Sequence, residues 1–240
     1  MTRAAALLLL VAACGRDAVS DGEQVRVLTP VKAPCEGCTL DVPPSTDPVP
    51  LLVVMHGNRE SAGDAAKRWR GAALARGWAV LSLQCPRALG CDDQARWYKW
   101  AGEPEWVFDQ IRAVGAQRQL DAARIYLAGW SGGASYIGMM APAWQSRFAA
   151  VVFHGGGQPP STSDCPRELP AYFLVGNENP AHPAAVRLRD YWKRCEQEYE
   201  WDLLDGAGHP KEDAALDATK AMSILEWLDR RSRPPLVSTR

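Results

Sequence analysis

Residues 51–55, Leu-Leu-Val-Val-Met, form an apolar run with no polar position at a period of two, which predicts a strand covered on both faces. A second segment, residues 25–31, also reads as a strand, and the proline-rich stretch 43–50 reads as a loop. After Met55 the period changes. Ser61 and Asp64 make a capping box for a helix whose Ala65, Trp69, Ala72 and Ala73 share a face, and Gly77 stops it. Residues 78–83 are the next strand. A long loop holding Cys85, Cys91, Trp97 and Trp100 leads to Pro104, after which Val107, Ile111 and Val114 recur at helical spacing. Residues 124–128 are a strand, Ser131 opens a helix that runs to about Met140 before Pro142, and 148–153 and 172–175 are short apolar strands. Ala185, Leu188, Trp192 and Cys195 mark a helix, 199–204 an edge strand, and Ala221, Ile224, Leu225 and Leu228 the last helix. Residues 230–240 look like a frayed tail. Strands and helices in this alternation predict an α/β fold with a mostly parallel sheet and helices on both faces.

Composition narrows the picture. A chain of 240 residues with 47% hydrophobic content supports one sizeable core, expected over residues 25–230. A net charge of -1 argues against a nucleic-acid partner, and small or weakly charged substrates suit it better. Met1-Thr2-Arg3 and the apolar residues 4–13 have the form of an export signal, too short to span a bilayer. Its end, Val11-Ala12-Ala13-Cys14, resembles the lipobox of bacterial lipoproteins. Lipid on Cys14 would then hold the protein at a membrane surface through a polar tether, residues 14–24, as the expected membrane contact. A plain secretory signal is the alternative. Cys35, Cys38, Cys85, Cys91, Cys165 and Cys195 remain, and an even number in an exported chain argues for disulfides. Locality favours pairing each with its nearest neighbour in sequence; a redox or half-zinc role for Cys35-Glu36-Gly37-Cys38 lacks a second ligand pair.

The chemistry concentrates at Gly129-Trp130-Ser131-Gly132-Gly133, directly after a predicted strand. This is the sequence of a nucleophile elbow, in which glycines permit a strained turn that lifts a serine hydroxyl above the carboxyl edge of a sheet. A serine needs a base and a group to orient that base. His209, between the last strand and the last helix, is at the same edge and is the expected base. The amides of Gly132 and Asn58, the latter in the loop after Met55, are the expected oxyanion donors. His154 is a candidate for the pocket wall, and Trp130 is expected to pack behind the elbow.

Residues 51–58, the segment Arg96-Trp97-Tyr98-Lys99-Trp100, the elbow with its lead-in 120–126, and Gly206-Ala207-Gly208-His209 together resemble the α/β-hydrolase esterases of the polyhydroxybutyrate depolymerase and feruloyl esterase type. The likeness spans roughly residues 48–229. It implies an α/β-hydrolase fold, a triad in the order serine, acid, histidine, and hydrolysis of carboxylic esters (polyhydroxyalkanoate, aryl or short acyl) through an acyl-enzyme. No metal or organic cofactor is implied, and Trp97 and Trp100 would overhang the substrate pocket. The chain departs from the family at the acid: where the family has aspartate, three residues after the strand-ending Gly176, it has Asn179. Glu178 as carboxylate, Asn179 as an amide oxygen accepting from His209, and loss of the acid in a non-catalytic scaffold lipoprotein remain open. So does a serine peptidase on the same fold.

Overall fold

The computed structural model describes residues 30–233. The expected export signal, the Cys14 lipid site, the tether and residues 25–29 of the first expected strand lie outside them. Pro30 and Val31, the described residues next to that strand, are not in a strand.

A seven-stranded sheet forms the centre, in the order β1-β3-β2-β4-β5-β6-β7. Its strands are β1 (Thr39–Asp41), β2 (Val49–Met55), β3 (Ala79–Leu83), β4 (Leu120–Trp130), β5 (Ala150–His154), β6 (Ala171–Gly176) and β7 (Tyr199–Leu204). Only β1 runs antiparallel, against β3; every other neighbouring pair is parallel. The helices are α1 (Ala62–Ala75), α2 (Glu105–Gly115), α3 (Gly132–Met139), α4 (Ala141–Trp144), α5 (His182–Arg194), α6 (His209–Ala215) and α7 (Ala218–Asp229).

The unbroken apolar runs are explained by two cores. Leu51, Val53, Met55, Leu127, Val151 and Phe173 face one layer, with residues of α2, α3, α4 and α5. Leu52, Val54, Tyr126, Val152 and Leu174 face the other, against α1 and α7. Successive side chains of a strand point to opposite faces, so a strand covered on both has no place for a polar residue. Every residue of β2 is buried accordingly.

Most expected elements form near their expected bounds, and the Ser61–Asp64 capping box is present. Three differences stand out. The short edge strand β1 forms between the strand expected at 25–31 and the loop expected at 43–50, where no element was expected. β4 begins at Leu120, its partly exposed first half pairing with β2 across a register shift between Val49 and Leu51. A helix, α6, begins at His209 where a loop was expected.

The start of the tail is also tied down. The Arg233 N–H donates to the Ala123 carbonyl, and its guanidinium donates to the carbonyls of Ala122, Ser146 and Arg147. Three disulfides link Cys35 to Cys38, Cys85 to Cys91 and Cys165 to Cys195, the nearest-neighbour pairing. Among the described residues no helix is long and apolar enough to cross a membrane.

Candidate active site

Parallel strands end together, so the loops after β2, β4, β5, β6 and β7 meet at one carboxyl edge. At the end of β4, Ser131 has φ 49° and ψ -106°, a left-handed conformation that costs a non-glycine residue strain. Tight packing holds it there. The Ser131 N–H donates to the His154 carbonyl at 2.8 Å, and its own carbonyl accepts from the Ser135 N–H at 3.0 Å. A Cβ on Gly129 would stand 2.5 Å from the backbone nitrogen of Ala134, so strand and helix approach this closely only with glycine at 129.

α3 starts at Gly132, where the first amides have no intrahelical acceptor and the helix dipole presents its positive end. Asn58 lies against this start. A Cβ on Gly132 would sit 2.1 Å from Asn58 Oδ1 and 3.4 Å from the Asn58 backbone nitrogen. Asn58 Nδ2 donates to the Tyr98 hydroxyl at 3.2 Å. The loop that carries Asn58 is pinned by His56, whose Nδ1 donates to the Gly57 carbonyl at 2.7 Å while Nε2 accepts from the Cys85 N–H at 3.1 Å. Burial pushes the pKa of His56 below the usual range for histidine, which keeps this neutral arrangement.

His209 is the first residue of α6. One turn along the same helix stands Glu212, wholly buried, with Oε2 2.9 Å from His209 Nδ1. Two further donors converge on that carboxylate: the Gly176 N–H on Oε1 and Asn179 Nδ2 on Oε2, both at 2.5 Å. Glu212 was not foreseen from the sequence. Residues three apart on a helix share a face, so His209-Pro210-Lys211-Glu212 does carry the signal once α6 is recognised.

Both expected partners of His209 need correction. Glu178 is exposed, and its backbone N–H donates to the Ala207 carbonyl. Among the described residues Glu178 makes no bond to His209. Asn179 is buried beside His209 but turns its nitrogen, not its oxygen, toward the ring, Nδ2 lying 3.2 Å from Nδ1. The neighbours dictate this orientation: Glu212 and the Gly155 carbonyl both require a donor, while the Ala181 N–H occupies Asn179 Oδ1. The carboxylate therefore follows the histidine in sequence, which differs from the expected order of serine, acid, histidine.

Trp130 supports the imidazole from below. The two rings are parallel within 7°, with centroids 4.4 Å apart. The indole N–H donates to Glu60 at 3.0 Å, Glu60 accepts a forked pair of bonds from Arg68, and the Arg68 guanidinium stands 4.8 Å over the indole. Trp130 thus lies under His209 and at the cavity wall, in addition to packing behind the elbow.

The cavity over Ser131 encloses about 590 Å³ and is walled by His209, Trp130, Asn58, Arg59, Tyr98 and Arg96, among others. Ser131 and His209 therefore open into one space. Trp97 and Trp100 do not line it. They are buried in the first core, at ring-centroid distances of 5.5–6.3 Å from Trp106, Tyr136 and each other, because indole surface of that size is better buried than left over water. Of the three aromatic residues in this segment it is Tyr98, between them in sequence, that reaches the cavity. His154 does not line it either. Its ring is buried under Trp130, centroids 4.3 Å apart, with Nε2 2.8 Å from the Glu212 carbonyl. Burial lowers its pKa to about 3, so it is neutral and donates from Nε2.

The sheet order, the elbow and the histidine at the shared edge define the architecture of an α/β-hydrolase. The family model for the esterase PHB depolymerases matches residues 37–160. The chain belongs to that esterase family. No curated protein matches the sequence. Among solved structures, the carboxylesterase of Bacillus cereus superposes with a TM-score of 0.60 at 14% identity, covering 80% of this chain and 93% of its own. An S-formylglutathione hydrolase from Agrobacterium tumefaciens gives 0.63 at 16% identity, covering 81% and 89%. FphF, a fluorophosphonate-binding serine hydrolase of Staphylococcus aureus, gives 0.57 at 12% identity, covering 80% and 91%. At these identities the likeness is one of fold.

Proposed function

We propose that this chain is a serine esterase that works through an acyl-enzyme. Ser131 Oγ attacks the ester carbonyl carbon, His209 accepts the hydroxyl proton on Nε2, and the oxyanion is held by the amides of Gly132 and Asn58. Collapse of the tetrahedral intermediate breaks the bond to the alkoxy oxygen, which leaves as the alcohol with the proton from His209. Water, deprotonated by the same histidine, then releases the acid and restores the serine hydroxyl. Glu212 orients the imidazole and offsets its charge while it is protonated.

The observation that carries this reading is the pair Ser131 and His209 facing one cavity, the histidine bonded through its far nitrogen to a buried carboxylate. The same bond weighs against the scaffold reading, which rested on the absence of an acid. Polyhydroxyalkanoate, aryl and short acyl esters are the substrates we propose, with catalysis carried by residues 25–230. We also propose export, supported by the three disulfides, and anchoring through lipid on Cys14. Labelling with a fluorophosphonate, mapped by mass spectrometry, tests the mechanism. An adduct on Ser131, absent from Ser131→Ala, is expected; a folded protein that is not labelled there refutes it.

A further inference from the structure

Two side chains face His209 Nδ1 from different elements: Glu212 Oε2 at 2.9 Å, from the base's own helix, and Asn179 Nδ2 at 3.2 Å, from the loop after β6. They also touch each other, at 2.5 Å. Each is fixed from behind, Glu212 by the Gly176 N–H and Asn179 by the Ala181 N–H and the Gly155 carbonyl. The site therefore has two positions from which an oxygen could receive the Nδ1 proton, one filled by a carboxylate and the other by an amide.

The contents of the two positions depend on each other. Glu212 is wholly buried, and His209 is its one ion-pair partner among the described residues. A carboxylate removed from water needs hydrogen-bond donors in place of solvent. Asn179 Nδ2 is one of three that serve it. A carboxylate at 179 would instead set two acidic oxygens in contact, and like charges that close cannot both persist. With an amide at both positions, nothing would balance the imidazolium formed during reaction.

Resting on the esterase reading, we propose that positions 179 and 212 act as one carboxylate–amide pair. The charge can reside on either member, but not on both or on neither, and Asn179 is a positioning residue for Glu212. The oxygens of an aspartate at 179 would occupy the place of the present amide, within reach of Nδ1. A glutamine at 212 can offer its oxygen to Gly176 and its nitrogen to position 179. The exchange Asn179→Asp with Glu212→Gln then rebuilds the bonds that link position 179, position 212, the Gly176 N–H and His209 with the charge moved across, and gives up only the bond from position 179 to the Gly155 carbonyl.

The test is steady-state hydrolysis of p-nitrophenyl butyrate by the full chain and four variants, with folding followed by near-ultraviolet circular dichroism. Glu212→Gln should lose about 10³–10⁴-fold in kcat with KM little changed, as when an orienting carboxylate is replaced by its amide. Asn179→Asp alone should lose about tenfold or more, and Asn179→Ala about tenfold, the equivalent of one hydrogen bond to a charged group. The double variant should recover to within about tenfold of the parent. A folded Glu212→Gln enzyme with parental kcat overturns the proposal. So does a folded double variant no faster than Glu212→Gln. Should the double variant not fold, an undiminished kcat in Asn179→Ala overturns it and a kcat-only loss supports it. If the parent itself is not labelled by fluorophosphonate at Ser131, the esterase reading has failed, separately from the exchange.

Discussion

The two halves of the site, the elbow at 129–133 and the acid corner around Glu212, are built on different terms. The elbow is five consecutive residues whose function is a backbone conformation: Ser131 is where it is because the chain can bend there only with glycine at 129. The acid corner joins three separate segments, 154–155, 176–179 and 209–212, through the side chains of His154, Asn179, His209 and Glu212, which bond to one another and to backbone groups. Chemistry encoded in a backbone bend is tied to its position in sequence. Chemistry delivered by a side-chain oxygen can come from any element that reaches the imidazole.

Breaking the elbow should have the largest effect. Gly129→Ala forces a Cβ into the backbone of Ala134, so a loss of about 10³-fold in kcat and roughly 3 kcal/mol of stability is expected by kinetics and urea unfolding. A variant with parental values would show that the close approach of β4 and α3 does not hold the serine. Next comes Trp130→Leu, which removes the surface under His209 and the donor to Glu60. About a tenfold fall in kcat, with roughly 2 kcal/mol of destabilisation, is expected; an unchanged kcat in a destabilised protein would limit Trp130 to packing.

His154 joins the two halves, its carbonyl holding the Ser131 N–H and its ring the Glu212 carbonyl. Its pKa in the folded protein, about 3, lies below the unfolded value near 6.5, so below that value the unfolded chain binds a proton the native one refuses. Stability should therefore fall as pH drops from about 6.5 toward 3, by about 1.4 kcal/mol per unit from this group. Urea midpoints at pH 7 and pH 5 check this. A slope no shallower in His154→Gln would remove the attribution. The smallest effect is expected at Glu178: with its side chain at the surface, Glu178→Gln should keep kcat within about twofold. A tenfold loss would restore it as the acid and reopen the comparison.

This division explains what was legible. The strands were readable because burial on both faces leaves unbroken apolar runs, and the serine because its motif directly follows one of them. Glu212 was not. Helix α6, His-Pro-Lys-Glu-Asp-Ala-Ala, is short and has no apolar stripe, so it reads as a loop and its glutamate as surface charge. Asn179 carried the right signal, an anomaly at the acid position, but its resolution lay 33 residues further along the chain. Trp97 and Trp100 misled for a related reason: in a long polar loop they look like cover for a pocket, and only the packing shows that they belong to the core. The edge strand β1, three residues long, has too few positions for a period.

The anchoring of Arg233 has a practical consequence for handling the protein. It grips the carbonyls of Ala122 and Ala123 at the opening of β4, while Ser131 follows that strand's other end, roughly 25 Å away. A reporter, purification handle or solid support attached at this arginine would sit at the pole opposite the cavity over Ser131, clear of its opening.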